Sequence, residues 1–471
     1  MNEGALSASK QLCRLSIDAA IVKLCEIGTW PRPPAARRLR CGYDFYINDL
    51  QDIQEVNDFI QHLASDDKIK SIYFRESSSP DFWLLYEFWQ RLFLTILLET
   101  EGMSPHSSVF NKWFGRFLRE LYSETAVWRT VDTITGLTVY AAELRLDQAT
   151  KLTSIPGYDL RGTLAGQEQY CIGDWLPGGF DKATIITTVK MPKHCYAGSA
   201  EPYEYLMGDI SRSLAAIDAI RLTKPGVPRL HYHARCHLSN FPLDDPFAYC
   251  RHEGGHRTYE KEAVLDTNDF RYVRNTWREL MDTRYKGNLF SRTPDAMDTA
   301  YSRFSRSYEY RNWLDNIVDL TIALESLFAP TDNQELSYRI SLRAAWLLSF
   351  GAKDDGDSVR DKNEIYDRVR TMYAIRSAGV HGRRPKEEDI LKWLKTLSGI
   401  KDDHPKDMEL YMLALESARD IVRKAIRACA KLQKLKSGAP RWPLPRNFDE
   451  NIVIAGQRRI WQKAAGTRTR G

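Results

Sequence analysis

The sequence predicts an α+β chain: a mixed α/β region over residues 1–290, an all-α bundle over 296–435 and a basic tail over 436–471. Three features lead there. Before about residue 290, segments with apolar residues at helical spacing alternate with segments in which every second residue is apolar. From about residue 296 the strand pattern stops and long stripes at 3.6-residue spacing take over. Charge then shifts: residues 421–471 hold 13 Lys/Arg against 2 Asp/Glu, net +11, whereas the whole 471-residue chain carries +5. A chain of this length holds two or three domains with ample core, so the first 290 residues are open to division into 1–125 and 126–290.

In chain order, Tyr43, Phe45 and Ile47 alternate like a short strand, and Ile53, Val56, Phe59, Ile60 and Leu63 recur at helical spacing. Pro80-Asp81 opens a helix over Phe82–Leu98, and Val109, Phe110, Trp113, Phe114, Phe117, Leu118 and Leu121 mark a strongly amphipathic one. Residues 127–191 are rich in Thr, Val, Ile and Tyr, with turn signals at Pro156-Gly157 and Pro177-Gly178-Gly179, and read as several strands. Leu206, Ile210, Leu214 and Ile217 mark a helix that closes near Pro225-Gly226-Val227-Pro228; Leu230–Leu238 and Phe247–Tyr259 read as strands.

In the bundle, Tyr310, Trp313, Leu314, Ile317, Leu320, Leu324 and Phe328 share a stripe that Ala329-Pro330-Thr331 ends. Thr331 with Gln334 forms a capping box for the next helix. A polar loop, Gly351–Asp357, leads to the helix that carries Arg376, and Pro385 with Glu387, Glu388 and Asp389 marks a further helix start. Met408, Tyr411, Met412, Leu415, Ala418, Ile421, Val422, Ala425, Cys429 and Leu432 hold one face of a long final helix, stopped by Ser437-Gly438-Ala439-Pro440. Residues 440–471 lack a period, which predicts a segment disordered in part or draped over the bundle.

Composition narrows the function classes. The chain is 43% hydrophobic and 27% charged, ordinary for a globular protein. Its most apolar run, Phe82–Leu98, contains Glu87, Gln90 and Arg91 and reads as a buried helix rather than a membrane span. Eight scattered cysteines without a CxxC, and a polar Met1–Lys10 start, predict a cytoplasmic location without disulfides. A Walker A loop, a G-x-G-x-x-G turn and a paired-carboxylate nuclease motif are all missing from the sequence, so an NTP-driven machine or a two-metal nuclease is not indicated.

Two His-bearing patterns remain. Arg376-Ser377-Ala378-Gly379-Val380-His381 places an arginine and a histidine five positions apart near the end of an apolar-periodic segment (Ile365, Val369, Met372, Tyr373). On a helix such positions lie about 140° apart, close enough for both side chains to reach one substrate. A guanidinium fork fits a phosphodiester, an imidazole moves a proton near neutral pH, and RNA supplies its own 2′-OH nucleophile. Arg383, Arg384 and Lys386 follow and could meet RNA phosphates; a solvated loop is the alternative. The basic 421–471 end suggests capture of a polyanion or, equally, a solvated helix face with a loose tail.

The second pattern is the crowding of His231, His233, Cys236, His237, Cys250, His252 and His256 into 26 residues. Two neighbouring strands could gather four of these around structural zinc, although the spacings are not those of zinc fingers; the alternative is an exposed strand pair. His252-Glu253-Gly254-Gly255-His256 matches HExxH, yet two glycines oppose the helix that a zinc protease needs, and Gly-Gly suits a hairpin tip.

Three blocks in order set the Arg/His pair in a wider context. They are Leu314-Asp315-Asn316-Ile317-Val318-Asp319-Leu320-Thr321-Ile322-Ala323-Leu324-Glu325-Ser326-Leu327-Phe328, then Glu335–Leu348, then Met372–Gly382. Together they resemble the Apea-like branch of the HEPN superfamily over roughly residues 296–435. The resemblance implies an all-α HEPN bundle and a metal-independent endoribonuclease with Arg376 and His381 in a composite site shared by a homodimer or higher oligomer. It implies no cofactor. Many members guard against phage or act as toxins, so a phage-derived or nucleotide trigger acting on residues 1–290 is the implied regulation. Ser377 stands where such nucleases often carry Asn, Asp or His, and Arg383 stands where members silenced by modification carry Tyr. Glu325 and Arg343 sit in apolar stretches of these blocks, where an unpaired charge is costly. They are expected to pair with each other or with the site, supporting it together with Ser377 and Tyr373. A non-catalytic HEPN module for dimerisation or for nucleotide or RNA binding is the main rival.

Overall fold

The computed structural model describes residues 3–26, 50, 52–73, 82–100, 105–140, 143–156, 181–192, 202–237, 247–249, 261–285, 295–309, 312–329, 335–349, 362–382, 385–400, 407–434, 448–449 and 460–461. The fold is α+β: helices and a small antiparallel sheet in the first half, helices in the second. The chain divides into two compact units. The first holds residues 1–133, 143–213 and 232–251; the second holds 134–142, 214–231 and 252–471.

The first unit begins with five helices: α1 (Glu3–Glu26), α2 (Gln54–Ser65), α3 (Asp67–Tyr73), α4 (Trp83–Glu99) and α5 (Ser107–Leu121). Each buries one stripe. In α5, Phe110, Trp113, Phe114, Phe117 and Leu121 recur at helical spacing and are all buried. In α2, Val56, Phe59, Ile60 and Leu63 do the same. Their aromatic rings pack together, with Phe59 against Phe117 at 6.1 Å and Trp89 stacked on Phe93 at 5.4 Å. The sequence pattern passes over α1 because polar residues interrupt its buried face. Ser16 is buried between Cys13 and Ile17; its hydroxyl donates to the Cys13 carbonyl and accepts from Trp89 Nε1 at 2.9 Å. Tyr73 donates to the Leu121 carbonyl at 2.9 Å, satisfying an acceptor that the end of α5 would otherwise leave open.

Strands β1 (Thr125–Thr135), β2 (Leu137–Val139), β3 (Glu143–Arg145), β4 (Thr150–Pro156) and β5 (Asp181–Pro192) come next. Helix α6 (Pro202–Thr223) separates them from β6 (Arg229–His237), β7 (Phe247–Tyr249) and β8 (Ala263–Leu265). The main sheet runs β3-β4-β5-β1-β6-β7. Its register lines up buried threonines across strands: Thr130, Thr187 and Thr150 in one row, Thr133, Thr184 and Thr153 in another. Alternate residues point to opposite faces, so these rows lie on the two sides of the sheet. Arg212 and Ser213 of α6 cover one of them: Arg212 donates to Thr150 Oγ1 at 2.9 Å and Ser213 donates to Asp132 at 2.5 Å.

In the second unit β2 and β8 pair in parallel. Gly226 has φ +132, and a Cβ there would sit 2.5 Å from the Ala263 nitrogen, so only glycine fits. Helix α7 (Phe270–Leu280) runs into a π-turn, Met281–Tyr285. The bundle follows: α8 (Ala296–Arg306), α9 (Trp313–Phe328), α10 (Leu336–Leu348), α11 (Lys362–Val380), α12 (Glu387–Ser398) and α13 (Asp407–Gln433). Helix α9 is central and packs on α8, α10, α11 and α13 through Ile317, Leu320, Ala323, Leu324, Leu327 and Phe328. The starts are capped: Asp295 and Asp298 form a reciprocal box on α8, and Asn312 accepts from Leu314 on α9.

A buried arginine layer joins the end of α6 to α8 and α13. Tyr308 lies between the guanidinium carbons of Arg221, 4.3 Å from its ring centre, and Arg419, 4.1 Å. Each cation also meets an acid and a carbonyl: Arg221 with Asp218 and Pro228, Arg419 with Glu416 and Ser307, Arg423 with Asp420 and Arg221. Part of the basic character of residues 421–434 is thus internal to the fold. Arg423 and Lys424 pair with Asp420, and Lys434 pairs with Glu279.

Several expected features lie outside the described residues: the Tyr43–Ile47 strand, the turn beyond Pro156, the turn at 177–179, the continuation of the last strand beyond Tyr249, the Thr331/Gln334 box, the Gly351–Asp357 loop and the 437–440 stop.

Candidate active site

Helix α11 positions the Arg/His pair. Ile365, Val369, Met372 and Ile375 anchor it in the bundle, leaving the opposite side to water. Gly379 faces the Leu314 side chain at the start of α9, where an added Cβ would make an ordinary van der Waals contact at 3.4 Å. The helix ends at Val380; His381 and Gly382 form the closing turn, with Gly382 at φ +63 and the His381 amide donating to the Ser377 carbonyl at 3.2 Å.

Arg376 is half-buried, its side chain 27% exposed, on the flank of α11 that faces α9. Glu325 of α9 meets it at 3.4 Å, and the Tyr373 ring lies 5.6 Å from the guanidinium carbon. The Glu325 contact is long for a charged hydrogen bond, and Arg376 Nε is buried without a hydrogen-bond partner. The guanidinium is thus oriented but retains donor capacity. Burial, then the Glu325 carboxylate, pushes the Tyr373 hydroxyl above its usual range. His381 is exposed, and Ser377 is half-buried one turn before it. The structure therefore gathers Glu325, Tyr373 and Arg376 on one flank, with His381 exposed at the helix end.

Arg343 is elsewhere. It does not pair with Glu325 or join Arg376. Only 1% exposed, it donates from Nε and Nη2 to Asp449 at 2.8 and 2.6 Å and from Nη1 to the Phe328 carbonyl at 2.7 Å. Phe448 and Trp461, each 2% exposed, complete this anchor: Phe448 meets Phe328 at 5.7 Å and Trp461 at 5.1 Å. The described residues of the basic tail thus drape over the bundle, and Arg343 holds them there. Its true partner was hidden because Asp449 lies 106 positions away in a segment without a period.

Lys386 is exposed and occupies the N-cap position of α12 without a side-chain capping bond, and Glu387, Glu388 and Asp389 fill the first turn; Arg383 and Arg384 lie outside the described residues. Strands β6 and β7 do pair, with His233 opposite Tyr249 in the register, so the backbone of His231, His233, Cys236 and His237 belongs to one strand. Cys250, His252 and His256, and with them the HExxH pattern, lie outside the described residues. Among the described residues no group of three or more His, Cys, Asp and Glu forms a cation cage, and no helix is long and apolar enough to cross a membrane. Sequence reasoning passed over Tyr338 and Tyr366, whose rings meet at 6.2 Å farther back along the helix. Their signal was the i, i+7 spacing of Tyr366 and Tyr373 on the non-buried side of α11. Comparison with family models, curated proteins and solved structures returns no match.

Proposed function

We propose that the chain is a metal-independent endoribonuclease of the HEPN type, serving defence or a toxin-like role. The observation that carries this reading is the pairing of an oriented, half-buried guanidinium, Arg376, with an exposed imidazole, His381, at the end of one helix. The resemblance of residues 296–435 to Apea-like HEPN domains supports it. His381 takes the proton from the 2′-OH or returns one to the departing 5′ oxygen. Arg376, held by Glu325, stabilises the charge that develops on the phosphorane. The 2′ oxygen bonds to phosphorus as the bond to the 5′ oxygen breaks, giving a 2′,3′-cyclic phosphate and a 5′-OH end.

One histidine per chain cannot easily serve as base and acid in the same step, so two copies of the bundle place two Arg376/His381 pairs at one cleft. Residues 1–290 act as the sensing part, responsive to a phage-derived or nucleotide signal. The second reading, a non-catalytic dimerisation or RNA-binding module, is favoured by the engagement of Arg376 with Glu325. Incubating the purified protein with RNA and identifying the product ends separates the two: cyclic phosphate ends support the enzyme, and intact RNA at all protein concentrations supports the binding module.

A further inference from the structure

The solvent side of α11 carries a second constellation. Advancing about 100° per residue, Tyr366, Arg370, Tyr373 and Ser377 stand in one row, with Lys362 near its start and His381 at its end. Arg370 and His381 are exposed, and Tyr366, Tyr373 and Ser377 are half-buried. Across from this row α10 presents Tyr338, 51% exposed, whose ring meets Tyr366 edge-on at 6.2 Å and 75°. Behind them the Lys362 ammonium lies 3.6 Å from the ring centre of Trp346. Asp367 is an exposed acid on the flank of the row; Glu364 faces Arg368 and Glu325 faces Arg376.

A helix face that only meets water needs no aromatic rings. Burying three tyrosines halfway while leaving them reachable forgoes apolar burial that a fully covered position would gain. Rings interleaved with cations are what a surface needs to stack unpaired bases and neutralise the phosphates between them. From Tyr366 to His381 the row runs about 22 Å along the helix, room for several nucleotides, and it ends at the Arg376/His381 pair.

We propose that Tyr338, Tyr366, Arg370 and Tyr373 form a track for single-stranded RNA that leads into the Arg376/His381 site; this rests on the nuclease reading above. Every base has a π-face, so the track accepts unpaired strands with little sequence preference. A duplex keeps its bases stacked inside and cannot use the rings. Arg370 contributes phosphate neutralisation, which makes binding weaken as salt rises.

The test uses the full chain with His381→Ala, which prevents cleavage during binding. Fluorescence anisotropy is measured with a labelled single-stranded RNA of mixed sequence and with the same RNA annealed to its complement. On that background Tyr338→Ala and Tyr366→Ala should each weaken single-strand binding about 5- to 100-fold, and Tyr366→Phe should restore it. Arg370→Ala should flatten the salt dependence, and duplex binding should be weak and unmoved. Melting curves show that the variants remain folded. Unchanged single-strand affinity in both tyrosine variants, with wild-type protein still cleaving RNA, overturns the track and leaves the nuclease reading standing. Dissociation of a dimer by these variants at unchanged RNA affinity assigns the face to a second copy and also overturns it. A wild-type chain that neither binds nor cleaves RNA removes both.

Discussion

Removing the C-terminal anchor should unfold the bundle at milder conditions, and the size of the effect follows from its contacts. Phe448 is 2% exposed and packs on Phe328 and Trp461; truncating such a ring costs about 3–5 kcal/mol. Asp449 accepts two hydrogen bonds from Arg343, whose side chain is 1% exposed. Asp449→Ala strands that guanidinium, and hydrogen bonds to charged groups are worth about 1.5–3 kcal/mol. Deletion of residues 440–471 loses both. Urea unfolding followed by tryptophan fluorescence reads the shift: the midpoint should fall most for the deletion, then for Phe448→Ala, then for Asp449→Ala. A double-mutant cycle with Arg343→Met should give non-additive losses, because Asp449→Ala costs little once the cation is gone. Hydrogen bonds from Arg343 hold the Asp449 carboxyl below the usual carboxylate range. Its folded pKa lies under the unfolded value near 4, so its stabilisation is complete above that value and is lost as pH falls through the lowered one. The Asp449→Asn protein should lack that acid-side component. A deletion protein with wild-type midpoint and wild-type acid profile would refute the anchor and restore the view of residues 440–471 as a loose basic arm for RNA.

Other outcomes follow from the site and the fold. Arg376→Ala should lower kcat about 10²–10³-fold, the range for loss of one preorganised donor, and raise KM as well; unchanged kinetics would remove Arg376 from the reaction. Glu325→Gln should lower the titration point of Tyr373, since the neighbouring charge disappears while burial stays, and a difference-absorbance titration that does not move would contradict their proximity. Gly226→Ala should destabilise the second unit by about 2–4 kcal/mol, because φ is +132 and the added carbon meets Ala263 at 2.5 Å; wild-type melting would contradict that close approach.

Much of the helical architecture was legible, because period carries it. Leu320, Leu324 and Phe328 on α9, and Phe110, Phe114 and Phe117 on α5, are apolar at fixed spacing and buried as the spacing requires. Capping acids announced α12 through Glu387, Glu388 and Asp389. Helix α1 was not legible, since Ser9 and Ser16 occupy its buried face and satisfy themselves by hydrogen bonds to His62 and Trp89. The short parallel β2–β8 pair was not legible either: three residues per strand give no alternation, and its signal was the lone Gly226.

At the site, the position of Arg376 and its link to Glu325 could be anticipated from charge in an apolar stripe. The same reasoning misplaced Arg343, because a buried cation announces that it has a partner without naming it. Asp449 came from a region with no pattern. Net charge over the basic end does not tell paired groups from unpaired ones: the fold pairs Arg423, Lys424 and Lys434 with acids.

The central claim is that Arg376 and His381 cut RNA through its own 2′-OH. Its most direct test is cleavage of a labelled single-stranded RNA by the wild-type chain and by His381→Ala, each with and without EDTA, with the product ends identified. The account predicts 2′,3′-cyclic phosphate ends at the same rate in both buffers, and a loss of about 10²–10⁴-fold in the variant. Activity that EDTA abolishes and magnesium restores, or equal cleavage by His381→Ala, would contradict it.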